Sequence, residues 1–195
     1  MHVITADILN STKLSPDQKL ALEKTMKSLK SDSIGIYEYF IRGDSFQIML
    51  PDKGLTEALK IKFALFYQCD IQVRMSIGIG AVANLGPNLS NSEGEAFSLS
   101  GRGLDTMKQE MKLLSINSSD EEINEEWQIH CMTLDYLELK LTQNQAEVLY
   151  WLIQELTQQE IADKVGISQS AVNRRIKGTA WPIIDQMITR FNHQL

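Results

Sequence analysis

Two sets of residues in this chain could do chemistry. The first is a pair of aspartates on apolar strands, Asp7 in HVITADIL and Asp44 in RGDSFQIML. Two facing carboxylates repel unless a cation lies between them. A divalent ion carrying phosphate oxygens is a common solution. The alternative is local: Asp7 caps the turn after its strand, and Asp44 braces the Arg42–Gly43 hairpin. The second set lies in TQQEIADKVGISQSAVNRRIKG. Ser168, Gln169, Ser170, Asn173, Arg174, Arg175 and Lys177 fall close together there, on a segment with helical spacing. Hydroxyls, amides and cations of this kind bond base edges and phosphates in a major groove.

The elements that must hold these residues follow from periodicity. HVITADIL is an apolar strand. Ser15 caps and Pro16 opens a helix that carries Leu20, Leu22, Met26 and Leu29. IGIYEYFI and DSFQIML are strands joined at Arg42–Gly43. LTEALKIKFALFYQ is a helix. IQVRMSIGIGAV is a strand with Ile71, Val73, Met75 and Ile77 alternating. A polar loop, the helical stretch EGEAFSLSGRGLDTMKQE and the strand KLLSIN follow. SSDEEINEE reads as an acidic connector into a helix from about Glu125 to Leu139. This order predicts an antiparallel split βαβ sheet, with helices on one face.

The last part of the chain reads as three helices. LTQNQAEVLYWLIQ supports two shorter ones. Thr157 and Glu160 make a capping box, Gly166 ends the first short helix, Ser168 caps the second and Gly178 terminates it. Ile161, Ala162, Val165, Ile167, Val172 and Ile176 form one small core, with Ala162 and Ala171 allowing close crossing. Gln169 and Ser170 sit where base contact is expected; Arg175 and Lys177 are assigned to phosphate. The stretch TQQEIADKVGISQSAVNRRI resembles the helix-turn-helix of the sigma-factor and LuxR type. That resemblance implies sequence-specific binding of double-stranded DNA, usually as a homodimer.

The front of the chain, about residues 2–117, resembles the catalytic domain of class III nucleotide cyclases. ADILNSTKLS is similar to their first metal motif, RGDSF to the second and VRMSIGIGAV to their Arg-x-Gly-Ile strand. By this likeness Asp7 and Asp44 are metal ligands, Arg102 steadies a transferring phosphate, and magnesium or manganese with a nucleotide is implied. The base-reading lysine of cyclases falls near Phe40, and the ribose-orienting asparagine falls at Ser98. GDSFQ, GIGIG and GEAF…GR ahead of a helix-turn-helix is closer still to the SatD family, which joins a cyclase-like domain to such a reader. The expected fold is α+β: a ferredoxin-like, cyclase- or palm-like sheet plus a small all-α helix-turn-helix. The expected divisions are 1–118, a connector and helix at 119–140, and 141–195.

Composition narrows the classes. The 195 residues are 43% hydrophobic and 23% charged, with net charge −6. No segment reaches the roughly 18 apolar residues of a membrane span, and no basic-then-apolar leader opens the chain, so a cytoplasmic protein is expected. Cys69 and Cys131 read as reduced thiols, and adjacent His130 and Cys131 point apart on a helix. Residues 141–195 hold five cations and five acids, so any attraction for DNA must come from the local cluster Arg174, Arg175 and Lys177. Three functions are consistent with these features. One is a DNA-binding transcriptional regulator whose sheet domain senses a nucleotide or metal, or simply dimerises. Another is a metal-dependent nucleotidyl cyclase or transferase. The third is an interaction module alone.

Overall fold

Strand β1 (His2–Ile8) shows the logic of the core. Its side chains alternate between two faces. Ile4, Ala6 and Ile8 enter one hydrophobic cluster, while Val3 enters another with Met49, Ala96 and Phe97. Both faces of the sheet are therefore covered. A computed structural model describes residues 1–31, 36–39 and 44–195. Phe40 and the Arg42–Gly43 turn lie outside the described residues.

The elements that follow are α1 (Pro16–Ser31), β2 (Ile36–Tyr39), β3 (Ser45–Leu50), α2 (Gly54–Cys69), β4 (Val73–Ile79), β5 (Val82–Asn84), β6 (Glu93–Gly94), α3 (Glu95–Glu110), β7 (Leu114–Asn117), α4 (Glu121–Glu138), α5 (Gln143–Ile153), α6 (Gln158–Val165), α7 (Gln169–Lys177) and α8 (Trp181–Gln194). The main sheet has the order β2-β3-β1-β4-β7. β1 runs antiparallel to both β3 and β4, but β7 joins β4 in parallel. The sheet is mixed rather than purely antiparallel, because α3 crosses over between β4 and β7. The loop expected after β4 also contains a small β5–β6 ladder.

Helices on one face only, the expected layering, is corrected by α3. Helices α1 and α2 cover the Ile4–Ile8 face. Helix α3 lies on the other, where Thr5 Oγ1 and Ser100 Oγ are 2.8 Å apart. Two glycines allow this approach. A Cβ on Gly78 would collide with the backbone of Ala96 and Ser100, and one on Gly103 with the side chains of Ser76 and Asn117.

The acidic connector is also corrected. Its residues form the first turns of α4, where Asp120 accepts hydrogen bonds from the backbone N–H groups of Glu122 (2.9 Å) and Ile123 (3.4 Å). Carboxylates are favoured there by the unpaired N–H groups and the helix dipole. Leu20, counted among the apolar positions of α1, points outward and is exposed. Cys69 and Cys131 are free and buried, and burial pushes both thiols up from their ordinary range.

α2 is the centre of the molecule. Leu55, Ala58, Leu59, Ile61, Phe63, Ala64 and Leu65 are all buried. Ala146, Leu149 and Tyr150 of α5 and Ile184, Met187, Ile188 and Phe191 of α8 share its cluster. The C-terminal helices thus share a core with the sheet. Trp127 of α4 is fully buried against Phe191, and its Nε1 donates to Gln194 Oε1 at 3.1 Å. Burying a side chain of that size removes the largest apolar areas from water, and here it ties α4 to α8. His2 completes the tie: it accepts from the Gly54 N–H through Nδ1 (3.0 Å) and lies edge-on to Phe191.

Candidate nucleic-acid interface

The reading helix is placed by local rules legible in its residues. In α5, Thr142 and Gln145 form a reciprocal capping box. Thr157 and Glu160 do the same for α6, with Glu160 Oε2 accepting from the Thr157 N–H at 2.8 Å. The Thr157 hydroxyl, which donates to the same oxygen at 2.7 Å, and then this N–H contact hold the Glu160 carboxyl below its ordinary range. Gly166 ends α6 with φ of 72°, a conformation that costs glycine little. Ser168 Oγ then accepts from the Ala171 N–H at 3.2 Å and starts α7.

Val148, Ile161, Ala162 and Val172 form a buried cluster. Trp151, Leu152, Leu156, Val165, Ile167 and Ile176 pack around it. The six apolar positions named from the sequence all belong to this cluster. Sequence reasoning gave α5 as the supporting helix but did not name Val148, Trp151 and Leu152, through which it supplies the floor of this cluster. It also missed α8 entirely. The signal was present in WPIIDQMITRF: Pro182 at the helix start, then Ile184, Met187, Ile188 and Phe191 on one side.

With Val172 pinned inward, the opposite side of α7 faces solvent. Ser168, Gln169, Ser170, Asn173, Arg174 and Lys177 are all exposed there. α7 carries no acid among QSAVNRRIK. Its surface is therefore an uninterrupted set of donors, acceptors and two free-facing cations. Arg175, expected at phosphate, points another way. Its Nη1 donates to Glu147 Oε2 at 3.0 Å and to the Asn144 carbonyl at 3.4 Å, bracing α7 on α5. Gln145 Nε2 donates to the Gly178 carbonyl at 2.9 Å and secures the far end of α7. Lys164 of α6 stands 4.7 Å over the Trp151 ring.

The aspartates at the sheet lie elsewhere. Asp7 is ion-paired with Arg74 Nη1 (3.3 Å) and Lys108 Nζ (3.5 Å). Asp44 accepts from Ser11 Oγ at 2.7 Å, and its carbonyl accepts from the Ile8 N–H at 3.0 Å. In the β1–β3 register Asp7 faces Ser45, one residue beyond Asp44. Arg102 is exposed on α3, and its Nε donates to the Ser98 carbonyl of its own helix at 3.3 Å. Beside Asp7, between α3 and the sheet, is a cavity of about 290 Å³ lined by Thr5, Ser45, Gln47, Asp105 and Lys108 among others. A metal ion at Asp7 would have to displace Lys108 or Arg74.

Residues 153–177 match a family model described as winged helix-turn-helix DNA-binding. The match spans the end of α5, all of α6 and all of α7. Residues 178–195 continue as a turn and α8, with no strand pair after α7. No curated protein matches the chain at a significant level. Among solved structures, a bacterial light-regulated adenylyl cyclase aligns at 16% identity with a TM-score of 0.39, covering 59% of this chain and 73% of that one. A second structure of a bacterial light-regulated adenylyl cyclase aligns at 15% and 0.40, covering 59% and 42%. Among the described residues, no helix is long and apolar enough to cross a membrane.

Proposed function

We propose that this protein is a DNA-binding transcriptional regulator, with α7 as its reading helix and the sheet-bearing half as a sensory or pairing unit. The observation that carries this is the exposed face of α7, polar and cationic without one acid, held outward by a core that fixes its roll. Gln169, Ser170 and Asn173 are base-edge readers, Arg174 and Lys177 contact phosphate, and Ser168 sets the N-terminus. The family match over residues 153–177 supports the same reading. As a reader of chromosomal DNA the protein would act in the cytoplasm.

The test is binding of the full chain to genomic fragments, followed by anisotropy on a bound fragment at several salt concentrations. Replacing Arg174 or Lys177 by Ala should weaken binding across sequences and lower the salt slope by about 1 each. Replacing Gln169 or Asn173 by Ala should relax base preference with little change in slope. Absence of salt-sensitive binding to every fragment rejects the proposal.

The strand order, with β3 and β4 flanking β1, supports reading the sheet as a ferredoxin-like split βαβ unit to which β7 is added. A SatD-like assignment rests on the order of the motifs named above. A second reading is favoured by the cavity beside Asp7. In it a nucleotide enters between α3 and the sheet, and Asp7 and Asp44 hold magnesium or manganese once Lys108 has left Asp7. Arg102 would then serve a phosphate. Titration calorimetry with manganese and each nucleoside triphosphate tests this: no heat in any pairing ends it.

A further inference from the structure

Helix α4 is apolar on two sides. One side, with Trp127, Cys131 and Leu134, is buried in the core. The other carries Ile129, Met132, Tyr136 and, at its end, Leu139, which are between 57% and 68% exposed. These are four of the nine large apolar side chains left exposed among the described residues. Their spacing of three, four and three is that of a heptad seam. At 3.6 residues per turn they fall within an arc of about 80°, centred roughly opposite Trp127. A lone exposed leucine needs no explanation, whereas a contiguous stripe marks a contact.

We propose that this stripe pairs with the same stripe of a second copy of the chain, as an antiparallel α4–α4 contact. Two features select that occupant. The first is self-complementarity. About a twofold axis at residue 134, Ile129 of one copy meets Leu139 of the other, and Met132 meets Tyr136. Every member of the stripe thus finds a member of the same stripe, as a closed dimer requires. The second is charge. The first half of α4 carries Glu121, Glu122, Glu125 and Glu126, and the turn that ends it carries exposed Lys140. A parallel pair would set Glu125 against Glu125 in the seam. The antiparallel pair separates the two acidic ends and lays each Lys140 over the other copy's acidic turns, nearest Glu126. Those acids also disfavour an anionic lipid surface as the occupant.

The nearby sheet edge does not compete for this role. α4 already covers β7 there, with Asp135 Oδ2 accepting from the Leu113 N–H at 2.8 Å. Pairing through α4 does not depend on α7 binding DNA, so the two proposals fail separately.

Sedimentation equilibrium of the full chain at micromolar concentration is expected to give twice 22.1 kDa. Ile129→Glu with Tyr136→Glu places charge at two seam positions and should weaken pairing by about 30-fold or more, returning the 22.1 kDa species. Both sites face solvent, so a circular dichroism spectrum like that of wild type and a cooperative melt of the monomer confirm that the fold is intact. Orientation is read by disulfide formation between separately purified Met132→Cys and Tyr136→Cys chains. The mixture should cross-link as heterodimers, and neither variant alone should do so efficiently. A monomeric wild type, a dimer that survives the double glutamate variant, or efficient cross-linking of Tyr136→Cys with itself each overturns the proposal.

Discussion

Removing the Lys62 ammonium should be one of the most damaging single changes outside the reading helix. Its side chain is fully buried on α2. Nζ donates to the Val73 carbonyl at 2.7 Å and pairs with Glu138 Oε2 at 2.9 Å. Glu138 is the last residue of α4 and is only 8% exposed. Lys62→Met therefore leaves a carboxylate and a carbonyl without their donor in an apolar site. Breaking one side of such a pair costs about 3–5 kcal/mol. Replacing both partners is different. Lys62→Met with Glu138→Leu leaves only the Val73 carbonyl wanting, at about 1–3 kcal/mol, offset by the 1–4 kcal/mol that apolar replacement of a buried pair often gains. The double variant should thus lie within about 2 kcal/mol of wild type. Urea unfolding of the four proteins in a mutant cycle measures this, with an expected coupling of at least about 2 kcal/mol. Asp135, whose carboxyl burial pushes up to about 6 and which Lys62 pulls back down, should rise further in Lys62→Met. A cost of Lys62→Met below about 1 kcal/mol, or a double variant as unstable as the two singles summed, would refute the reasoning.

Three further outcomes follow from the same structure. Gly78→Ala should destabilise by about 1–3 kcal/mol because the new methyl meets the α3 backbone, whereas Gly101→Ala, with open space at its Cβ, should stabilise by about 0.5–1 kcal/mol; thermal melts of both compare them directly. Thr157→Ala removes the acceptor of the Glu160 N–H and should cost about 1 kcal/mol, seen as a lower urea midpoint, while a change below the error of the measurement would show the box to be idle. The pH dependence has two opposed parts. Burial lowers His2 from 6.5, so the unfolded chain takes the proton first and stability falls as pH drops below 6.5. Asp135 titrates near 6 in the fold against 3.8 unfolded, so the native state binds that proton first and its contribution rises as pH falls from 6 toward 3.8. His2→Gln should flatten the acid loss of stability, and Asp135→Asn should steepen it, in urea midpoints taken between pH 7 and 5.

The reading helix was legible because its determinants are local. The capping box at Thr157, the left-handed Gly166 and the apolar set from Ile161 to Ile176 act within a few residues of one another. Strand alternation exposed β1, β3 and β4 for the same reason. The aspartates were legible as unusual, but not their partners. Arg74 and Lys108 reach Asp7 from 67 and 101 positions away (74 − 7 and 108 − 7), which no spacing rule anticipates. The acidic run before α4 was misread because charge was weighed ahead of the cap that Asp120 provides.

Residue order by itself determined the helix-turn-helix, the roll of α7 and the apolar faces that fold each strand and helix, since these depend on short-range sterics and period. Only the tertiary structure decided that α3 covers the second face of the sheet, where Gly78 and Gly103 let two backbones close. It alone turned Arg175 inward to Glu147 and joined Lys62 to Glu138 through a shared core. Contacts between distant segments depend on how whole surfaces fit, and that information is spread over many residues rather than written at any one of them.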